Sequence, residues 1–482
     1  MKNFYITTAI PYVNAAPHIG FALELIQTDA AVRYWRSRLD EGTARALTGS
    51  DENSLKNVRA AEEAGEEVGD FVARHAEEYK ALQETLNLSF NDFIRTREER
   101  HIEGAQKLWS ACRPEDIYKK TYKGLYCVGC EAFYTEKEVP EGVCPEHKKP
   151  LEEIEEENYF FKLSNYQDQL EKLIESDEIK ITPKTRKNEV LSFIKGGLED
   201  FSISRSQERA KHWGVPVPGD EAQVMYVWFD ALSNYITALD YKDEGKAYQK
   251  YWNSDDTRRV HVIGKGITRF HAVYWPAMLL SAGLKLPTEI FVHGYITIEG
   301  EKISKSIGNV IHPKELVDEF GADATRYYFL REIPSHGDGD YSKDRMEERY
   351  AELANQLGNL VGRVATMSNK YFDGDLDTWQ TDWAELNSEL QADINNYDFK
   401  KYLDDIFEII GEANEIIDKK APFKLVKEDE KAAKAVLSEV ADMIIFCGQA
   451  LLPIIPEAAQ EILNRYAGDK ILTGDPLFPR RD

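Results

Sequence analysis

Cysteine is scarce, with five in 482 residues, and three of them fall at Cys127, Cys130 and Cys144. Such a distribution argues against a disulfide framework and for metal binding in a cytosolic setting. Long apolar runs are missing too. The strongest late one, "MIIFCGQALLPIIP", is too short and too interrupted to span a bilayer and reads as a buried helix end. No N-terminal stretch has the pattern of a signal peptide, because "MKNFYITTAIPYV" carries one lysine and breaks at Pro11. No membrane partner is therefore expected. Basic charge is in deficit: 60 Lys and Arg stand against 85 Asp and Glu, a formal net charge of −25. Phosphate contacts need Lys and Arg, so the balance argues weakly against a nucleic-acid partner. Net charge is a global sum, however, and leaves room for a local basic face. Internal repeats and low-complexity linkers are also absent.

What is present fits a globular chain of two to four domains, 42% apolar and 30% charged. "KNFYITTAI" reads as a buried first strand. After it, Phe21, Leu25, Val32, Trp35 and Leu39 recur at helical spacing, with Thr28 the polar exception. "ARALTGSDENS" reads as a second strand ending in a polar loop, helical patterns fill residues 54 to 112, and residues 120 to 150 read as irregular. The acidic run in "LEEIEEENYFFKL" reads as a solvated face. Strand and helix alternate again from "QVMYVWFDALSNYITAL" to "EIFVHGYITIEGEKISKS", and from about residue 345 the chain reads as helical throughout. The expected fold is α/β: a doubly wound, Rossmann-like parallel sheet with a zinc-bearing insertion, followed by an all-α helical bundle.

Two short segments suggest phosphate chemistry. "PHIG" sits where a strand feeds a helix, and a helix N-terminus presents free N–H groups and partial positive charge. Gly20 would let a ligand approach the backbone, and His18 could donate to a phosphate oxygen. A plain helix start with an early proline explains the same residues. "KISKS", Lys302 to Ser306, puts Lys302, Ser304, Lys305 and Ser306 on one loop after a hairpin-like "YITIEG". Positioned cations there could stabilise charge developing in an in-line displacement at phosphorus; a solvated surface turn is the ordinary alternative. A third segment, "CVGCEAFYTEKEVPEGVCPEH", sets Cys127, Cys130, Cys144 and His147 as C-x2-C, thirteen residues, then C-x2-H. Two short loops of this kind can hold one Zn²⁺ tetrahedrally, and four protein ligands leave no open position, so the role would be structural. Unpaired buried cysteines are the other reading. Cys112 and Cys447 fall outside the set and read as core residues.

With "PHIG" after the first strand and "KISKS" after the last, the chain resembles the class I aminoacyl-tRNA synthetases. The segments "TTAIPYVNAAPHIGF", "LTGSDEN", "FIRTREERH", "LYCVGCEAFYTEKEV", "DFSISRS", "YVWFDALSNYITAL", "FHAVYWPAML" and "GRVATMSNKYF" resemble those of the methionyl-tRNA synthetase family, over essentially the whole length. The resemblance implies that methionine is activated with Mg-ATP to methionyl-adenylate, releasing pyrophosphate, and then passed to tRNA(Met). It makes Pro11 to Phe21 and Lys302 to Ser306 the two signature motifs. It places the methionine side chain among Ile10, Tyr12, Trp228, Ala231, Leu232, Tyr235, Ile267 and His271, with Asp51 on the ammonium group. An aromatic pocket suits a flexible, polarizable thioether. It makes Asn359, Arg363 and Phe423 candidates for anticodon contacts, with Phe423 standing where the family usually carries Trp. Basic residues of "KTRKNEV" and "SRSQERAKHW" could meet acceptor-stem phosphates or simply be solvated.

The domain boundaries that follow are 1–115 and 201–344 for the two catalytic halves, 116–200 for the zinc insertion and 345–482 for the anticodon-binding bundle. The expected partners are ATP, methionine and tRNA(Met), and the expected state is a cytoplasmic monomer. Three departures stand out. Phe21 replaces the histidine that ends the first motif, Asn53 and Ser54 replace His-Gly, and Gly266 replaces an aspartate. They motivate a rival reading, a paralogue that binds tRNA without charging it. A nucleotidylyltransferase sharing only the phosphate motif is a second rival, but it needs neither the bundle nor the zinc ligands.

Overall fold

A computed structural model describes the chain except for residues 128–131, 135–138, 140, 146–147, 304–307, 378–380 and 482, and the side chains of Tyr122, Ala132 and Phe133. The chain divides into two compact units. The first comprises Met1–Pro17, Leu39–Ala81 and Phe90–Val292; the second comprises His18–Arg38, Leu82–Ser89 and His293–Asp482.

The first unit is built on a six-stranded sheet in the order Asp92–Arg95, Ala44–Ser50, Asn3–Thr8, Thr257–Gly264, Glu289–His293, Lys180–Thr182. Asn3–Thr8 pairs in parallel with both its neighbours, Thr8 lying opposite Val262. Its side chains are buried from Phe4 onward on both faces, so it reads as a continuous rather than alternating apolar run. Strand order reverses at this pair, and in open α/β sheets ligands bind at the carboxyl ends of such strands. The segment after Thr8 carries Ile10 and Tyr12, and the segment after Gly264 carries Gly266 and Ile267. Asp92–Arg95 is a sheet strand inside the stretch the pattern reads as helical; four residues are too few to set a period of their own.

The insertion is more regular than its composition suggests. Ile117–Cys127 and Glu152–Phe161 form a long antiparallel pair, with Ala132–Tyr134 and Phe201–Ser202 at the two edges. The acidic run is therefore one strand, alternating exposed glutamates with Ile154, Asn158 and the aromatic end at Phe160 and Phe161. Asp220–Met225 belongs to a separate three-stranded antiparallel sheet with Ser204–Ser206 and Pro216–Val217, not to the core sheet.

The second unit joins the Ile19–Arg36 helix to a helical bundle that includes Asn359–Phe372, Phe399–Lys420 and Glu430–Leu451. Ile19–Arg36 is buried nearly all round, including Glu24, Gln27 and Asp29, where the sequence shows only an amphipathic stripe. One of its buried acids sits in an ion pair, Asp29 with Arg326 at 2.8 Å, both side chains fully buried. Asp29 also accepts from Arg33 and from the backbone and hydroxyl of Ser89, each at 2.6 Å. Arg326 spends its remaining N–H groups on the carbonyls of Ile454, Pro453, Leu86 and Asn87. With every donor used, the charge is kept far from water at a tolerable desolvation cost. Ile296–Ile298 and Glu301–Lys302 make the expected hairpin, turned by Glu299 and Gly300 at φ 52° and 78°. The chain after Ala467 is not helical; residues 471–481 form a strap with neither helix nor strand.

Candidate active site

In the first unit, five of the residues expected around an amino-acid side chain, Ile10, Trp228, Leu232, Tyr235 and Ile267, belong to one hydrophobic core, and His271 is in ring contact with two of them. Ala231, Leu232 and Tyr235 are buried on the short helices Val227–Leu232 and Asn234–Thr237. The Trp228 ring stacks on Phe270, centroids 3.9 Å apart and 3° from parallel, and meets His271 edge-on at 6.3 Å. Trp228 Nε1 is buried and bonds to no other described residue. Tyr235 and His271 are joined by a 2.7 Å hydrogen bond from the hydroxyl to Nε2. The other ring nitrogen, Nδ1, lies 3.0 Å from the carbonyl of Ile267, so it must carry the hydrogen and Nε2 must accept. Burial pushes His271 down to about 4, so the ring is neutral near pH 7.

A second layer fixes Tyr235 from behind. Its backbone carbonyl accepts from Tyr5, and its ring lies 4.0 Å from the buried ring of His261. Trp275 Nε1 donates to His261 Nε2 at 3.2 Å, which leaves Nδ1 to donate to Thr7 Oγ1 at 2.8 Å. Burial holds His261 well below the ordinary imidazole range. Phe270 and His261 are missed by sequence reading. Phe270 adjoins a singled-out residue in "TRFHAVYW"; His261 is a lone histidine on a core strand, with no signal of its own.

Asp51 is anchored by backbone pairing: its N–H donates to the Pro11 carbonyl at 2.8 Å, and Tyr12 and Asp51 form an isolated parallel bridge. Both residues of one departure, Asn53 and Ser54, have structural work here. Asn53 Nδ2 donates to Asp230 Oδ2 at 3.0 Å and to the Thr96 carbonyl at 3.2 Å, while His101 reaches Asp230 Oδ1 at 3.1 Å. Ser54 caps the Leu55–Ala64 helix by accepting from Lys56 N. Gly266 is exposed in the turn Lys265–Ile267.

In the second unit, His18 is the N-cap of Ile19–Arg36, its Nδ1 accepting from Gly20 N at 3.1 Å. A Cβ on Gly20 would lie 2.8 Å from His18 Cε1, so only glycine lets the imidazole fold back this way. Burial and His312 lower the His18 pKa, and with Nδ1 accepting, the neutral ring carries its hydrogen on Nε2. Within this unit the described parts of the two signature segments, His18–Phe21 and Lys302–Ile303, come together. Ile303, the residue after Lys302, packs on Gly20, with Cδ1 3.6 Å from where a Cβ would stand, and Ile19 N donates to the Ile311 carbonyl at 3.0 Å. Lys302 is exposed and its carbonyl accepts from Asn309. Ser304, Lys305 and Ser306 lie outside the described residues.

Cys127 and Cys144 sit in one small buried cluster with Tyr134 and Val139. Cys130 and His147 lie outside the described residues, and no set of three metal-ligating side chains occurs among those described. Cys112 and Cys447 are buried core residues. In the bundle, Asn359, Arg363 and Phe423 line one cavity of about 740 Å³. Asn359 is exposed, Arg363 pairs with Asp418 at 2.7 Å, and Phe423 is 42% exposed. Several of the surface basics are already paired: Arg186 with Glu189, Lys187 with Asp177 and Lys211 with Glu62. No helix among the described residues is long and apolar enough to cross a membrane.

Comparison with known proteins matches residues 4–153 and 148–365 to the family model "tRNA synthetases class I (M)". Residues 374–472 match the anticodon binding domain of methionyl tRNA ligase. The chain is 40% identical to a methionine–tRNA ligase of Clostridium acetobutylicum, covering all of this chain and 78% of that one. It is 42% identical to one from Brucella suis, over 97% of this chain and 92% of the relative. Among solved structures, the Mycobacterium tuberculosis methionyl-tRNA synthetase in complex with methionyl-adenylate superimposes with a TM-score of 0.92 at 37% identity, covering all of both chains.

Proposed function

The chain belongs to the methionine-specific class I tRNA synthetases, and from that membership we propose how its own residues perform the reaction. It activates methionine with ATP to methionyl-adenylate, releases pyrophosphate, and esterifies tRNA(Met). The carboxylate of methionine attacks the α-phosphorus of ATP, and the bond to the β-phosphate oxygen breaks as pyrophosphate leaves. Positioning and electrostatic stabilisation suffice, with no protein nucleophile.

Asp51 holds the methionine ammonium through a charge-assisted bond. Ile10, Tyr12, Trp228, Ala231, Leu232, Tyr235, Ile267 and His271 receive the side chain. His18 donates from Nε2 to a phosphate oxygen, the helix start beyond it favours the same charge, and Lys302 and Lys305, with Ser304 and Ser306, clamp the triphosphate of Mg-ATP. Gly20 serves here by admitting the His18 ring.

Cys127, Cys130, Cys144 and His147 would hold one Zn²⁺, which supplies folding energy to the insertion rather than chemistry. The shared burial of Cys127 and Cys144 supports this assignment. The division into catalytic halves 1–115 and 201–344, insertion 116–200 and anticodon-binding bundle 345–482 goes with the same reading. So do base contacts by Asn359, Arg363 and Phe423, and a cytoplasmic monomer.

The observation that carries the substrate assignment is the closed chain Ile267 carbonyl, His271, Tyr235. The hydroxyl of Tyr235 and both ring nitrogens of His271 are used up within this chain and the ring is neutral, so this part of the wall suits an apolar, polarizable side chain. Asn53 and Ser54, both engaged in structural bonds, favour an active enzyme over the non-charging paralogue. Charging of a tRNA(Met) transcript with radiolabelled methionine tests the reading. Tight tRNA binding without any charging would support the paralogue.

A further inference from the structure

The strap that ends the chain is pinned on both sides of one residue. Phe478 is 7% exposed and meets Tyr350 edge-on at 6.2 Å. The Pro479 carbonyl accepts from the Tyr350 hydroxyl at 2.8 Å. The Arg481 guanidinium lies over the Phe320 ring at 4.2 Å and bonds to Glu319 Oε1 at 3.1 Å. Arg480 stands among these anchors, exposed, with no ion pair or hydrogen bond to any other described residue.

Arg480 lines the cavity of about 740 Å³ that also holds Asn359, Arg363 and Phe423. One wall of that cavity is a single helical stripe, Asn359, Gly362, Arg363, Thr366 and Met367; the facing wall is the strap, from Gly474 to Arg480. Two other arginines line it, but Arg363 is held by Asp418 at 2.7 Å and Arg465 by Glu461 at 2.6 Å. Among the described residues, Arg480 is thus the lining guanidinium without a partner, in a chain whose net charge is −25.

We propose that the C-terminal strap is the second wall of the RNA-loop site, and that Arg480 takes a phosphate of the single-stranded loop whose bases meet Asn359 and Phe423. The inference rests on the anticodon-binding reading of the bundle. Single-stranded loops are bound by aromatic stacking together with cations tracking the backbone. The anchors at Pro479 and Arg481 hold the cation in place before RNA arrives, so little ordering is left to bind it.

The test is fluorescence anisotropy of the full-length protein with a labelled RNA stem-loop carrying the anticodon CAU, over a series of salt concentrations. Arg480→Glu is expected to weaken binding about tenfold or more, by a similar factor for a stem-loop with a changed anticodon, and to reduce the salt slope by about one. Arg480→Gln, which adds no repulsion, should weaken binding in the same direction by less. Parent-like affinity and salt slope for Arg480→Gln would overturn the inference. If Asn359→Ala and Phe423→Ala weaken binding while both Arg480 variants do not, the strap inference alone falls. If all four bind like the parent, the anticodon-site reading falls with it.

Discussion

Tyr235 donates its hydroxyl hydrogen to Nε2 of His271 at 2.7 Å, because His271 Nδ1 is committed to the Ile267 carbonyl. With His271 pushed down to about 4 by burial, the pair does not change charge across the neutral range. The KM for methionine in pyrophosphate exchange should therefore stay flat from about pH 8 to pH 5.5, with no inflection at the ordinary imidazole value of about 6.5. Stability follows the same group. From about 6.5 down to about 4 the unfolded chain binds a proton that the folded chain does not, so this contribution falls as pH drops through that window. An inflection in KM near 6.5 would show that His271 titrates normally.

His18 has two tasks, capping and phosphate binding, and substitution separates them. His18→Ala should lower the exchange rate by about 10²–10³-fold, the usual loss for one positioned donor, and lower stability by about 0.5–2 kcal/mol through the lost cap. His18→Asn keeps an acceptor for Gly20 N, so it should recover most of the stability without most of the rate. Melting curves and exchange assays on the two variants give the comparison.

The Asp29–Arg326 pair ties three separated stretches of the second unit together. Arg326→Met should cost about 3–5 kcal/mol, since it leaves a buried carboxylate and several carbonyls unpaired. Adding Asp29→Asn should return part of that loss. Urea unfolding of the single and double variants measures the coupling; additive effects would contradict it.

Metal analysis of the purified protein should find one zinc per chain. Cys144→Ser should release it and unfold the insertion locally, with increased hydrogen exchange in Ile117–Cys127 and Glu152–Phe161. Full zinc retention in that variant would remove Cys144 from the ligand set.

The chemistry of this chain is legible in its sequence chiefly where a residue type is rare and its spacing unusual. His18, the KISKS segment and the cysteine spacing stand out for that reason. The parallel core is legible through its apolar strands, and the hairpin through Glu299–Gly300. What escapes is tertiary. Nothing local marks Asp29 as the fully buried partner of a residue nearly three hundred positions away. The strand Asp92–Arg95 is too short to break a helical pattern. The acidic run "LEEIEEENYFFKL" is no guide either: Glu152–Phe161 pairs along its length with a lysine-bearing strand, and only that register turns an acidic run into a sheet. The Gly20 requirement is legible as a glycine at a helix start, but its physical reason, room for the His18 ring, needs coordinates.

The central claim is that a neutral, internally hydrogen-bonded aromatic pocket selects methionine for activation. ATP–pyrophosphate exchange measured with each of the twenty amino acids, on the parent protein and on Tyr235→Phe, tests it most directly. Methionine should drive exchange far above all others in the parent, and Tyr235→Phe should raise the KM for methionine about tenfold. Equal exchange with another amino acid, or an unchanged KM in Tyr235→Phe, would contradict the account.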